Sequence, residues 1–426
     1  LVEQKCVYCI ETGLAMNILV IDRSPPCNLL QGNALIGQHV FRRLRHHHLT
    51  LICPAPAEQI ERYRTELADL FDVVHLVPRD GAVSALVGMV EPTLGRLGVA
   101  RAGSANPAAA RAFAAQLRQV LRERAFDVIH TRQLPMAAFS ASIPHPAKLL
   151  ELIDSETLQA ARRVRPGAPK TQLRATVARA MEQRAVQKFH ACTTVAEADA
   201  QVIRGLAPNL PVYVTPNGVD ATYFSPLSLP EQPDTVVFTG AMSFPPNVTA
   251  VLHYYRNILP LVRKELPQVR LIVAGRDPAP EIAALANDPF VTVTGFVEDI
   301  RPWLAQSCVM ICPMTSGSGI KNKVLEAMAM ARPVVATTLG MEALEVTNWR
   351  ELVVADHPAE FAAALLRLLR DSAERQRIGA AGRELVLRRY TWDACAASYD
   401  AIYTQLAARR NYTVPAPVYV PDGRSK

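Results

Sequence analysis

The 426-residue chain is expected to fold as two doubly wound α/β domains facing each other across a cleft. Three observations lead there. Short unbroken apolar runs alternate with longer amphipathic ones, and the whole alternation occurs twice. The chain is longer than one ordinary core accommodates and suits two domains of roughly 200 residues. A connector with three prolines, residues 225–233, lies between the two series.

In the first series the apolar runs are residues 17–21, 49–53, 73–77, 128–131, 149–153 and 191–194. Runs this short without polar alternation indicate strands covered on both faces, hence a parallel sheet. Residues 34–45, 108–124 and 173–189 carry the helical patterns between them. The second series has strands at 236–239, 271–274, 291–294, 309–312, 333–336 and 352–355, with helices at 248–266, 320–330, 359–370 and 373–389. Irregular spacings exclude a repeat array. Residues 392–408 form one more helix with no strand left to cover in the second domain, so it is expected to cross back onto the first. The expected organisation is therefore a leader at 1–15, an N-terminal Rossmann-like domain at 16–215 and a C-terminal one at 216–390. A cross-over helix at 391–408 and a loose tail at 409–426 complete it.

Half of the residues are hydrophobic, a fifth are charged, and the net charge is +7. That balance fits a phosphate-bearing ligand or an anionic membrane surface. Basic residues are not interleaved with aromatics, which argues against nucleic acid. Five of the eight cysteines, Cys27, Cys53, Cys192, Cys308 and Cys312, lie in or beside apolar strands and read as small buried hydrophobes in a reduced, cytoplasmic protein. Cys6 and Cys9 form a CxxC without the second pair that zinc would need. No stretch is long and apolar enough to suggest a spanning helix, and secretion is not expected. The run His46, His47, His48 is read as a solvated turn without an acid nearby, and no metal site is expected.

The strongest local signal is the segment from Pro313 to Ala329. A strand ends, Gly317 and Gly319 follow, and a helix is expected to open near Ile320. Glycines admit a ligand close to the backbone, and free amides at a helix start favour an anion. Lys321 and Lys323 would oppose the helix dipole there unless a diphosphate offset them. Glu326, one turn on, could accept hydrogen bonds from sugar or ribose hydroxyls. A plain strand–turn–helix with a solvated basic end is the other reading.

At this segment the chain resembles a known family. From Val236 to Tyr390 it is similar to the nucleotide-sugar domain of glycosyltransferase family 4, which has the GT-B fold. The nearest likeness is to the bacterial exopolysaccharide branch that includes sugar transferases associated with PEP-CTERM export. The matching stretches are Phe238 to Asn247, Leu271 to Arg276, Val293 to Asp299 and Gly317 to Val335. Weaker landmarks in the first half are Phe126 to His130, Thr193 to Asp199, and Pro216 to Asp220 with Phe224 to Pro226.

The resemblance implies a hexosyltransferase taking a sugar, with retention, from a nucleotide-diphosphate donor to a glycan or polyprenyl-linked acceptor. It implies no bound metal or other cofactor, a role in cell-surface or exopolysaccharide synthesis, and possible peripheral contact with the inner membrane. Donor-binding positions implied are Gly32, Asn217, Gly240, Arg276, Val297, Gly317, Ser318, Gly319, Ile320, Lys321, Lys323, Leu325 and Glu326. Glu326 matches the second acid of the family's paired-glutamate motif, while the first falls at Ser318. An Arg and a Lys common after the strand at 236–239 are absent from Gly240 to Asn247. Lys323, with Lys321 and Arg276, is therefore the candidate to neutralise the leaving diphosphate. Where many members carry a His after the strand at 149–153, this chain has Ile153 and Asp154. Asp154 is read as a catalytic or sugar-contacting acid, with an N-cap role equally open. His130 is read as a hydrogen-bonded structural residue, Asp299 as a helix cap, and residues 78–107 as the acceptor wall. A nucleotide-sugar epimerase and a non-catalytic nucleotide-sugar binder are the alternatives. A dinucleotide oxidoreductase is disfavoured because no G-x-G-x-x-G follows the first strand.

Overall fold

The computed structural model describes residues 15–27, 32–79, 107–317 and 319–410. The expected leader and tail therefore lie almost wholly outside the described residues, as do Ser318 and nearly all of the expected acceptor wall.

The first sheet consists of seven parallel strands: β1 Asn17–Ile21, β2 His48–Pro56, β3 Val73–Arg79, β4 Val128–Arg132, β5 Lys148–Glu151, β6 Ala191–Thr194 and β7 Val212–Val214. Their order is β3-β2-β1-β4-β5-β6-β7. Ile18, Leu19, Val20 and Ile21 of β1 are all inaccessible to solvent, as a strand covered on both faces requires. β7 has no counterpart in the sequence reading. It is a three-residue edge strand, half-exposed throughout, and so lacks the dense apolar run by which the others are recognised. The helices are α1 Gly32–Arg43, α2 Ile60–Leu67, α3 Pro107–Glu123, α4 Leu134–Ser140, α5 Glu156–Arg162, α6 Pro169–Val186 and α7 Glu197–Leu206.

The second sheet has six parallel strands: β8 Thr235–Thr239, β9 Arg270–Ala274, β10 Val291–Gly295, β11 Val309–Cys312, β12 Val334–Ala336 and β13 Val353–Val354. Its order, β10-β9-β8-β11-β12-β13, repeats that of the first six strands of the N-terminal sheet. In both sheets the order reverses beside the first strand, and the crevice outside the carboxyl ends at that point is where such folds bind ligands. For the second domain the helices needed below are α8 Pro245–His253, α9 Asn322–Ala329, α10 Pro358–Arg370 and α11 Ser372–Arg389.

The last helix, α12 Trp392–Arg410, crosses to the first domain. Trp392, Tyr399, Tyr403 and Leu406 are buried in one cluster with Ile18, Val20, Leu49 and Leu51. This explains its composition: apolar residues sit on more than one side because α1 and the face of the sheet at β4 both cover it. The architecture is thus two Rossmann-like domains with a C-terminal helix returning to the first. Among the described residues no helix is long and apolar enough to cross a membrane.

Candidate functional site

Where β8 ends, Gly240 has φ +145°, a conformation that L side chains rarely adopt. A Cβ there would lie 2.7 Å from Asn247 Nδ2 and 2.9 Å from Lys323 Nζ. The missing side chain therefore leaves room for the ammonium of α9 to reach the end of β8. Lys323 Nζ donates to Asn247 Oδ1 at 2.7 Å and lies 3.9 Å from the centroid of the Phe238 ring, a cation–π distance. Asn247 Nδ2 in turn donates to the Ala241 carbonyl at 2.9 Å. Asn247 and Phe238 hold the cation in place; the sequence reading quoted both without giving them this part.

Burial lowers the Lys323 ammonium to about 8, because a desolvated cation is disfavoured. Burial likewise raises Glu326 to about 7, partly offset by Lys323. The two groups sit one turn apart on α9, and each would be eased by an external partner: a diphosphate for the lysine, hydroxyl donors for the glutamate.

The turn before α9 differs from expectation. The helix begins at Asn322, not near Ile320, and Lys321 occupies its N-cap position. Lys321 is buried, and its Nζ folds back to donate to the Gly319 carbonyl at 2.6 Å. It is no solvated cation at a helix end. Ile320 packs partly buried against the domain core. Leu325 is completely buried, so its side chain belongs to that core. The apolar spacing of α9 requires this, since Val324, Leu325 and Met328 form its inward face.

Asp154 meets this turn from the other domain. A Cβ on Gly319, itself at φ +68°, would stand 2.8 Å from Asp154 Oδ1. The open N-cap question resolves in favour of a neighbour: Ser155 is the N-cap of α5 and accepts from Leu158 N. Two buried acids fix the turn. Ser155 N donates to Asp199 Oδ1 at 2.7 Å, while Ser155 Oγ and Glu156 N donate to Glu182 at 2.7 and 3.0 Å. Burial raises Asp199 to about 6. With capping done elsewhere, Asp154 keeps one contact, from Gln159 Nε2 to Oδ2 at 3.2 Å. Its Oδ1 is buried without a hydrogen-bond partner among the described residues. Burial raises its carboxyl above the ordinary range, with Lys321 pulling the other way. Arg162 of α5 is ion-paired across the cleft to Glu342.

The remaining expected positions are placed as follows. Asn217 is buried and its Nδ2 lies 3.4 Å from Asn322 Oδ1, tying the interdomain turn to the start of α9. Arg276 follows β9 but is engaged with Asp277 at 3.0 Å. Val297 is half-buried beyond β10, next to the exposed Phe296. Gly317 has φ +107°. Gly32 is the first residue of α1. Asp299 Oδ1 accepts from Arg301 N at 2.9 Å, but the N-cap of the helix that starts there is Ile300, without a side-chain cap, so the expected cap role falls one residue off.

His130 is fully buried, with Nδ1 2.7 Å from Tyr403 Oη and Nε2 3.0 Å from Glu151. It belongs to a network the sequence reading missed. Arg132, equally buried, donates from Nε and Nη2 to Glu151 at 2.9 and 3.0 Å, to Asp22, and to the Asn33 carbonyl at 2.9 Å. Against burial, Arg132 pulls Glu151 down to about 2. The histidine run also needs correction. His47 is buried, and Asp400 of α12 lies 3.2 Å from His46 Nε2 and 2.7 Å from His47 Nε2, so an acid does stand beside the run. The Met16 amide faces His47 Nδ1 at 3.3 Å, which leaves Nε2 as the protonated nitrogen donating to Asp400. The cluster is thus a hydrogen-bonded clasp between β2 and the cross-over helix. Sequence could not show it, because the acid lies more than 350 residues away.

Fold and site together define the GT-B class: two Rossmann-like domains, with an anion-ready edge on the second and, turned toward it, an acid of the first whose Oδ1 has no partner among the described residues. Residues 233–371, within the second domain, match the family model "Glycosyl transferases group 1". The chain is 31% identical over 202 residues to a phosphatidyl-myo-inositol mannosyltransferase of Mycobacterium leprae, covering 45% of this chain and 53% of that protein. A protein of the cps region of Klebsiella pneumoniae is 28% identical over 135 residues, 30% of this chain and 35% of its own. The matches thus span about a third to a half of these relatives. Among solved structures, Anabaena HepE in complex with UDP aligns at TM-score 0.65 and 15% identity, over 92% of this chain and 100% of that one. Sucrose-phosphate synthase of Thermosynechococcus elongatus aligns at 0.65 and 14%, over 92% and 99%.

Proposed function

We propose that this protein transfers a hexosyl group, with retention, from a nucleotide-diphosphate donor to a glycan or lipid-linked acceptor in bacterial cell-surface polysaccharide synthesis. The observation that carries this reading is Asp154 Oδ1, buried without a hydrogen-bond partner among the described residues and facing the Gly319 turn across the cleft. A donor held at the edge of the second sheet would present its sugar there.

In this reading Lys323 neutralises the diphosphate as negative charge builds on it, a use of preorganised charge in a dry site. Glu326 accepts from the ribose hydroxyls, and the amides around Gly317 and Gly319 stand in for the family's missing first acid. The bond from the anomeric carbon to the diphosphate breaks, and the acceptor oxygen bonds to that carbon on the same face. The hydroxyl proton passes to the departing phosphate. Asp154 orients the sugar and stabilises positive charge at the anomeric carbon. Two of the curated relatives are mannosyltransferases and a structural relative holds UDP, so mannose and glucose donors are the first to try. The test is thermal-shift screening against UDP-, GDP- and ADP-sugars, then product analysis by mass spectrometry. The reading predicts stabilisation by one donor and net sugar transfer. Release of an altered nucleotide sugar without transfer would favour an epimerase, and stabilisation by none would end the reading.

A further inference from the structure

The outer face of the first domain carries a groove of about 650 Å³ between α4, α5 and α6, within the size range of small-molecule sites. Its floor is apolar. Leu134 and Ala137 of α4 and its C-cap Ala141 face Val177, Met181 and Ala185 of α6, the latter three spaced four residues apart along one helix face. Small side chains on both helices keep the walls low, so a slot remains where larger residues would have closed a helix–helix interface.

The rim is cationic: Arg163, Arg174, Arg184 and Lys188 line it against one acid, Glu156. The charge asymmetry is built into α6. This helix contains Lys170, Arg174, Arg179 and Arg184, and its single acid is Glu182. Glu182 is turned inward and buried on the start of α5, so it does not offset the rim. The groove also reaches the helix that begins immediately after Asp154 and Ser155, through Glu156 and Ala160.

An apolar slot beneath a ring of cations matches a molecule with one hydrocarbon chain and an anionic head. We propose that this groove holds the chain and phosphate of an isoprenoid lipid phosphate that carries the acceptor into the cleft. The proposal rests on the glycosyl-transfer reading for its purpose, but its binding chemistry can be tested separately. A membrane surface fits less well, since Val177, Met181 and Ala185 are only partly exposed while Arg163, Arg174, Arg184 and Lys188 are exposed.

The test is calorimetric titration of the full chain with farnesyl monophosphate, and in parallel with farnesol, inorganic phosphate and phosphatidylglycerol vesicles. Farnesyl monophosphate should bind, with farnesol and phosphate weaker by about tenfold or more. Ala178→Trp, which fills the slot, and the surface variant Arg174→Glu with Lys188→Glu should each weaken binding by about tenfold. Melting temperature and nucleotide-sugar stabilisation should stay unchanged in both. Binding that survives both variants, equal binding of farnesol, or binding of vesicles alone would overturn the proposal. If farnesyl phosphate follows the predicted pattern and no nucleotide sugar binds, the groove stands and the transferase reading falls. The reverse pattern removes the groove and leaves the transferase.

Discussion

The two sheets share one strand order over six strands, yet their reversal points are furnished in opposite ways. In the first domain the crevice between β1 and β4 is filled by the protein itself. Arg132 at the end of β4 is neutralised by Asp22 beyond β1 and by Glu151 at the end of β5, and it also caps the Asn33 carbonyl at the start of α1. Where a phosphate could sit, a guanidinium already has two carboxylates. In the second domain the equivalent crevice between β8 and β11 holds Lys323 above Gly240, with amide and aromatic neighbours and, among the described residues, no carboxylate bonded to it. The same topology offers one self-satisfied edge and one open to an anion. Fold supplies the crevice; the charges at its mouth decide whether a ligand is needed.

This contrast can be broken from either side. Arg132→Ala should have the largest effect, about 3–5 kcal/mol of stability lost, because it leaves two buried carboxylates unpaired. Chemical denaturation should show it as a fall in midpoint, while the folded fraction still binds nucleotide. Lys323→Ala should do the reverse. Transfer should fall by about 10²–10³, the range seen when one charge-stabilising donor is removed, with the denaturation midpoint unchanged or slightly raised, since a desolvated cation is gone. Asp154→Asn should lower kcat by about 10–100-fold, equivalent to ~1.4–2.8 kcal/mol, with nucleoside-diphosphate affinity intact. If nucleotide binding fell in step with turnover, Asp154 would be holding the donor rather than its sugar.

Smaller effects sharpen the picture. Glu326 must be ionised to accept from hydroxyls, and its carboxyl is raised to about 7. Lys323 must be charged to meet phosphate, and it is lowered to about 8. Donor kcat/KM should therefore fall below pH 7 and again above pH 8, a narrow bell set by the free enzyme. Lys323→Arg should move the alkaline limb upward. Arg162→Ala should be smallest, about 0–1 kcal/mol, because the pair with Glu342 is partly exposed.

Much of the second domain was legible because its signals are local. The glycines, lysines and acid of the site fall between Gly317 and Glu326, and apolar runs mark each strand. The helix start was misplaced by two residues because Lys321, an unlikely cap by type, closes the turn on Gly319. The place of Leu325 in the inward face of α9 was visible in the periodicity. The first domain was harder to read. The Arg132 cluster joins residues 19 and 110 positions apart, and the histidine clasp joins residues 353 apart. Only the sheet order and the returning helix bring them together. Asp154 lies between these cases: its strand-end position was evident, but its freedom depends on Ser155, Glu182 and Asp199 taking over the capping.

The central claim is that the open edge of the second sheet, and not the filled edge of the first, receives the donor's diphosphate. Calorimetric titration of the stabilising nucleoside diphosphate into wild type and the Lys323→Ala variant tests it most directly. The account predicts a loss of affinity of about tenfold or more in the variant, ~1.4 kcal/mol, with its melting temperature preserved. Equal affinity in the two proteins would contradict it.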